Sequence, residues 1–132
     1  MIGKNSIRII YGDNPGQMVR QLLEIIKPED EIEKDALISI KPNLVVAKPS
    51  SSGATTSPVI VDGIIEYLKS KGRNNIAIME GSWVGDRTRE AFKVCGYVKL
   101  SRKYNVPLID LQRDKYKSFE LNGISINICD FV

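Results

Sequence analysis

The sequence predicts an α/β fold, with a mostly parallel sheet flanked by helices on both faces and a C-terminal antiparallel hairpin. Three observations carry that prediction. Short apolar runs at 36–40, 75–79 and 106–110 alternate with longer stretches whose apolar residues recur every three or four positions. The 36–40 and 75–79 runs are almost wholly apolar rather than alternating, as in strands covered on both faces. Near the end, Asn122-Gly123 separates two β-rich runs, the strongest short-range hairpin signal.

Taken in chain order, residues 6–11 (Ser-Ile-Arg-Ile-Ile-Tyr) are rich in β-branched and aromatic side chains and read as a first strand. Gly12 to Gly16 is a turn cluster. Over 17–26, Met18, Leu22 and Ile25 alternate with Val19, Leu23 and Ile26 at helical spacing, and Lys27-Pro28 stops the helix. Residues 29–35 form an acidic, solvated connector, and 36–40 is the second strand. Residues 49–57 are a long Ser/Thr/Gly-rich loop, of a kind that is often functional or mobile. Ser57 is a good N-cap and Pro58 suits the first helical position. That helix runs to about Lys71, where Gly72 ends it. After the strand at 75–79 come helices at 87–94 and 98–104, broken at Gly96, then a strand at 106–110. Residues 116–121 and 124–128 are the hairpin arms.

The 132 residues fit one domain, 1–132, long enough to bury a core without staples. A net charge of only +3 gives no reason to invoke nucleic acid, and Lys99, Arg102 and Lys103 read as a solvated helix face. The chain has no histidine, which leaves a zinc site or a serine triad almost nothing to use. Cys95 and Cys129 stand far apart, match no metal spacing, and suit a reducing cytoplasm as buried small apolar residues. No signal-like N-terminus and no apolar run near 20 residues is present, so neither export nor a membrane span is expected. The expectation is a cytoplasmic protein. The chain stops at Cys129-Asp130-Phe131-Val132 directly after a strand, which reads as the N-terminal part of a longer protein. A dimer formed through apolar surface exposed at such a boundary would then follow from truncation.

Three polar motifs sit where chemistry is expected. Lys41-Pro42-Asn43 follows the 36–40 strand, Thr55-Thr56-Ser57-Pro58 opens a helix, and Glu80-Gly81-Ser82 follows the 75–79 strand. In an open α/β sheet, ligands bind beyond the carboxyl ends of the strands. Lys41 and Glu80 are therefore the candidate catalytic residues. Asn43, Thr55, Thr56, Ser57, Gly81, Ser82 and Asp110 are the candidate ligand-binding residues. A lysine at a strand mouth can pair with phosphate or carboxylate, or act as a base. A helix entrance attracts anions through its dipole and free N–H groups. A carboxylate after a buried strand needs a partner, and Lys41 across the neighbouring strand end supplies one.

Plainer readings account for the same residues: a solvated lysine, an N-cap after a flexible loop, and a structural Glu80–Lys41 ion pair. The loop does not fit the phosphate-cradling pattern G-x-x-x-x-G-K-[ST]. Asp86 reads as a cap for the next helix, and Arg87 as an anion clamp or a surface residue. Trp83 reads as a half-buried loop anchor, with a lid or partner contact as the other option.

The ordered set Ile-Lys-Pro-Asn-Leu-Val (residues 40–45), Ala-Thr-Thr-Ser-Pro (54–58) and Glu-Gly-Ser (80–82) continues with Thr88, Ala91-Phe92, Gly96-Tyr97 and Leu-Ile-Asp-Leu (108–111). It resembles the N-terminal half of the prokaryotic family called domain of unknown function three-six-two. The resemblance runs over nearly the whole chain from about Ile7. It implies a cytoplasmic α/β protein from a group often described as iron–sulfur centre proteins. Many such proteins carry a ferredoxin-like cysteine-rich module elsewhere, and most continue into a second half. This sequence lacks that cysteine cluster, so no cofactor is assigned to this segment itself and any iron–sulfur cluster would lie elsewhere in the full-length protein. Ser57 stands where the family often has histidine.

The leading expectation is a domain that supplies part of an anionic small-molecule site in a larger enzyme or redox-associated iron–sulfur protein. The alternative is a non-catalytic scaffold that docks a ferredoxin-like module. A third reading has Glu80, Asp86 and Asp110 holding Mg²⁺ through oxygen.

Overall fold

The computed structural model describes residues 6–131. Three strands, β1 (Ile38–Ile40), β2 (Ile76–Glu80) and β3 (Leu108–Asp110), form a parallel sheet in the order β1-β2-β3. Ile40 faces Ile78 across the first pair, and Glu80 faces Asp110 across the second. Because all three run the same way, Ile40, Glu80 and Asp110 end at one edge of the sheet.

The crossovers are helical. α2 (Pro58–Ser70) links β1 to β2, while α3 (Thr88–Val94) and α4 (Tyr97–Tyr104) link β2 to β3. α2 starts as its sequence dictates, with Ser57 Oγ accepting the Val59 N–H and Pro58 at the first position. Gly96 adopts φ +85 between α3 and α4, a left-handed turn that a side chain would strain. Strand β2 is buried along its whole length, so both faces of the sheet are covered at its centre. Ile76 and Ile78 point to one face and pack with Val61, Ile65, Phe92, Tyr97 and Leu100 from the three crossover helices. Ala77 and Met79 are buried on the other face.

α1 (Pro15–Ile26) precedes the sheet and packs along α2. Asn14 caps it by accepting the Gln17 N–H at 3.1 Å, and Lys27 ends it in a left-handed conformation at φ 52. The two helices meet at Gly63, where an added Cβ would lie 2.5 Å from the Gly16 carbonyl oxygen.

The hairpin forms as expected. β4 (Tyr116–Leu121) and β5 (Ile124–Cys129) make a separate antiparallel pair. Asn122 at φ 52 and Gly123 at φ 77 supply the two positive dihedrals of a type I′ turn. The register places Phe119, Leu121, Ile124, Ile126 and Ile128 on one face and Ser118, Glu120, Ser125 and Asn127 on the other. The apolar face is exposed.

Several expectations need correction. Residues 6–11 form no strand, and Ile7, Ile9 and Tyr11 are exposed. β-propensity expresses fit to a half-buried pleated surface, and among the described residues no ladder reaches this segment. The second strand shrinks from 36–40 to Ile38–Ile40 and is not covered on both faces, since Ser39 is exposed. The 49–57 loop is a folded strap. It contains a 3-10 turn at Ser50–Ser52, and Thr55 makes an antiparallel bridge with Leu44. Trp83 is exposed rather than half-buried. Lys99, Arg102 and Lys103 are exposed as expected, with Lys103 Nζ reaching Asp62 at 2.8 Å. Cys95 is buried and Cys129 half-buried, both as free thiols. No helix among the described residues is long and apolar enough to cross a membrane.

The acidic connector is tied down at Glu29. The buried Tyr67 hydroxyl donates to its carboxylate, and Arg73 donates to its backbone oxygen at 2.6 Å. Burial pushes the Glu29 carboxyl up, but the Tyr67 bond together with the Lys71 and Lys27 charges outweighs it and holds the group below its ordinary 4.5. A depressed carboxyl stabilises the fold above its unfolded value, and the contribution disappears as pH falls through the folded value. Tyr67→Phe is therefore expected to cost about 1–2 kcal/mol at neutral pH. That deficit should begin to shrink as urea-denaturation curves are repeated below the ordinary 4.5 of this carboxyl, and be lost only below its lower folded value. A deficit that stays constant down to strong acid would refute the linkage.

Candidate functional site

β1 runs out into Lys41-Pro42-Asn43 beside the last residue of β2, Glu80. Lys41 Nζ lies 3.2 Å from Glu80 Oε1 and 3.3 Å from Oε2. The Glu80 side chain is only 3% exposed, whereas that of Lys41 is 59% exposed. The carboxylate has two further donors: the Gly81 N–H reaches Oε1 at 2.8 Å, and the buried Leu44 N–H reaches Oε2 at 3.2 Å. A carboxylate can stay at a buried strand end only with its lone pairs occupied, and three donors do that here. The result is an ammonium held at the sheet edge by an internal anion and open to solvent.

Residues beyond β2 continue the pairing with the 44–47 segment. Ser82 Oγ donates to the Leu44 carbonyl at 2.7 Å, and the Trp83 N–H donates to the Val45 carbonyl at 3.0 Å. Asp86 Oδ2 accepts the Ala47 N–H at 3.0 Å, and Oδ1 accepts the Arg87 N–H at 2.7 Å. These backbone donors hold the Asp86 carboxyl below its usual range. Asp86 thus anchors the neighbouring strap instead of capping α3, whose N-cap residue, Arg87, makes no side-chain cap bond.

The threonine motif is drawn into the same fabric. Asn43 and Thr56 bond reciprocally: the Thr56 N–H donates to the Asn43 carbonyl at 2.9 Å, and the Asn43 N–H to Thr56 Oγ1 at 3.0 Å. Asn43 Nδ2 donates to the Ala54 carbonyl at 3.3 Å, and Thr55 Oγ1 to the Lys48 carbonyl at 2.9 Å. Tyr97 closes the strap by donating from its hydroxyl to the Thr56 carbonyl at 3.0 Å. At the entrance of α2, Pro58 has no N–H, Val59 donates to Ser57 Oγ and Ile60 to the Ser57 carbonyl. The first donors an anion would need there are already engaged.

Lys41 and Glu80 are therefore brought together, with Asn43, Gly81 and Ser82 around them, while Thr55, Thr56 and Ser57 build the strap behind Asn43. Gly81 is not required for steric reasons, since a Cβ there would meet only Leu111 Cβ at an ordinary 3.5 Å. Asp110 shares the sheet edge but engages other groups. Its Oδ1 accepts the Gln112 N–H at 3.1 Å, and its Oδ2 lies 3.7 Å from both Arg89 Nε and Arg113 Nε.

The Mg²⁺ reading fails because Glu80 and Asp86 have their oxygens engaged by internal donors. Among the described residues no group of three or more His, Cys, Asp or Glu side chains is placed to hold a metal. Cys95 Sγ donates to the Lys48 carbonyl and Cys129 Sγ to the Leu111 carbonyl.

Sequence reasoning missed Gln112. The two hydrogens on its Nε2 are shared among the Ser82, Trp83 and Asp86 carbonyls, at 3.0, 3.3 and 3.2 Å. Its Oε1 accepts from the Thr88 N–H and hydroxyl. One amide thereby holds the 82–88 turn in place. Its partners are mostly backbone groups far away in sequence, so no local pattern marks it.

No curated protein and no solved structure matches the chain. A family model described as Domain of unknown function (DUF362) matches residues 38–131. The match begins at β1, carries the Lys41, Thr55 and Glu80 motifs, and extends past β5. With most of its length and all three polar motifs inside that match, the chain belongs to the DUF362 family.

Proposed function

We propose that this chain supplies part of an anionic small-molecule site in a larger cytoplasmic enzyme or redox-associated iron–sulfur protein. Lys41 is the group that meets the anion. The observation that carries this reading is the Lys41–Glu80 pair: an exposed ammonium, anchored by a nearly buried carboxylate, at the edge where parallel strands end. Glu80 sets the position of Lys41, since both of its oxygens already accept hydrogen bonds. Asn43, Gly81 and Ser82 frame the pair. The remaining walls would come from a C-terminal half or a ferredoxin-like module, and a cluster, where there is one, belongs to that partner.

Titrating the 132-residue chain with inorganic phosphate and with acetate, followed by amide chemical shifts, tests the reading. Shifts should centre on Lys41, Asn43, Leu44 and Gly81. Lys41→Met should weaken binding about five- to tenfold and cost about 1–3 kcal/mol of stability, because the nearly buried Glu80 carboxylate loses its counter-charge and keeps only its two backbone donors. Binding unchanged in that variant would retire the proposal.

The docking alternative keeps one observation in its favour. The apolar hairpin face of Phe119, Leu121, Ile124, Ile126 and Ile128 is exposed, and an isolated two-stranded hairpin is only marginally stable in water.

A further inference from the structure

A concavity lies beside β3, with neither Lys41 nor Glu80 in its lining. It has a volume of about 560 Å³ and sits between α3, α4, β3 and the base of the hairpin. That size falls within the ~300–1,000 Å³ typical of small-molecule sites. Its apolar walls are Phe92, Val98, Leu108 and Phe131, and its charged residues include Arg89 and Arg113.

The two guanidiniums share one carboxylate. Each Nε is 3.7 Å from Asp110 Oδ2, beyond hydrogen-bond range, and the side chains are 71% and 66% exposed. Neither guanidinium donates a hydrogen bond among the described residues. Asp110 is turned inward at 11% exposure, with its other oxygen on the Gln112 N–H. Asp114, the other acid of the lining, has one oxygen on the Lys115 N–H and the other on the Phe131 N–H. The acids are thus bound to backbone or shared between two cations, while both arginine forks remain open. Such forks match the planar oxygens of carboxylate or phosphate. An apolar wall beside them favours a hydrocarbon body attached to that head group.

We propose that this cavity binds a small organic anion, a carboxylate or phosphate head carried on an aryl or alkyl body. The anion docks between Arg89 and Arg113, and the body lies against Phe92, Val98 and Phe131. Asp110, a strand-end candidate by sequence, belongs to this cavity, which is not lined by Lys41, Asn43, Glu80, Gly81 or Ser82, so each site can stand without the other.

The test uses the 132-residue chain and four probes: benzoate, phenyl phosphate, inorganic phosphate and benzyl alcohol. Amide shifts should saturate at Phe92, Ile109, Asp110 and Arg113. One of the two aromatic anions should bind about tenfold or more tightly than inorganic phosphate and benzyl alcohol. A preference for benzoate identifies a carboxylate ligand, and a preference for phenyl phosphate a phosphate ester. The double variant Arg89→Gln with Arg113→Gln removes exposed side chains and should keep the thermal midpoint while losing at least about tenfold in affinity. Three results overturn the proposal: aromatic anions that bind no better than inorganic phosphate, a double variant that binds as the parent does, or no shifts around β3. The third, with shifts confined to Lys41 and Asn43, would leave the sheet-edge site standing.

Discussion

Glu80→Ala is expected to lower the unfolding free energy by about 3 kcal/mol, the largest effect of any single polar change at the sheet edge. The substitution removes the acceptor of the Leu44 N–H, which belongs to a fully buried residue, and of the Gly81 N–H. Leaving a buried donor unpaired costs about 1–3 kcal/mol, so the Leu44 N–H dominates the loss, while the exposed Gly81 adds less. The Lys41 ion pair adds little, because its ammonium is 59% exposed and regains water when released. Glu80→Gln keeps one acceptor oxygen and should cost about half as much. Urea denaturation measures the energies, and amide exchange locates them. The Leu44 amide should lose protection in Glu80→Ala and keep part of it in Glu80→Gln. A loss under about 1 kcal/mol with Leu44 still protected would show that this carboxylate does not hold the 41–47 segment.

Gly63→Ala comes next, with an expected loss of about 1–3 kcal/mol. Two effects compete at this position. Alanine favours the helix by about 1 kcal/mol over glycine. Against that, the new Cβ would sit 2.5 Å from the Gly16 carbonyl oxygen, 2.7 Å from Val19 Cγ1 and 3.0 Å from Gly16 Cα. Two of those three atoms are backbone and cannot rotate away, so α1 and α2 must move apart. That separation loosens Leu23, which packs against the core from α1. The steric term wins and the thermal midpoint falls. Gly81→Ala is the matched comparison: its Cβ would meet Leu111 Cβ at 3.5 Å, and the midpoint should barely change. A stabilised Gly63→Ala would mean that the two helices do not pack this closely in solution.

Both predictions concern contacts between segments far apart in sequence, and the same division separates what could be read from the chain from what could not. The helices were legible because their signals are local. Ser57-Pro58 starts α2, Gly96 breaks α3 from α4, and apolar spacing marks α1. The hairpin turn was legible for the same reason, since Asn122-Gly123 can adopt two positive φ values cheaply. The Lys41–Glu80 pair was also within reach: two successive strands each end in a charged residue, and successive parallel strands are commonly neighbours.

Residues 6–11 misled because the same composition suits a strand or a segment with no ladder, and a ladder depends on what lies alongside. The 49–57 segment misled in the opposite direction. Its small polar residues resemble a free loop, yet Thr55, Thr56 and Asn43 lock it with bonds that cross about a dozen residues. Gln112, Arg89 and Arg113 gave no signal at all, because an amide or guanidinium acquires a role only from the backbone and carboxylates brought to it.

The amino-acid order alone determined the alternation of helix and strand, the turn chemistry and the placement of polar motifs at strand ends. Each of these rests on backbone dihedral preference or apolar periodicity within a few residues. Tertiary structure decided which donors fill the Glu80 carboxylate, how the strap closes over Leu44, and where the arginines gather around Asp110. Those outcomes depend on burial and hydrogen-bond saturation, which arise only when distant segments exclude water from one another.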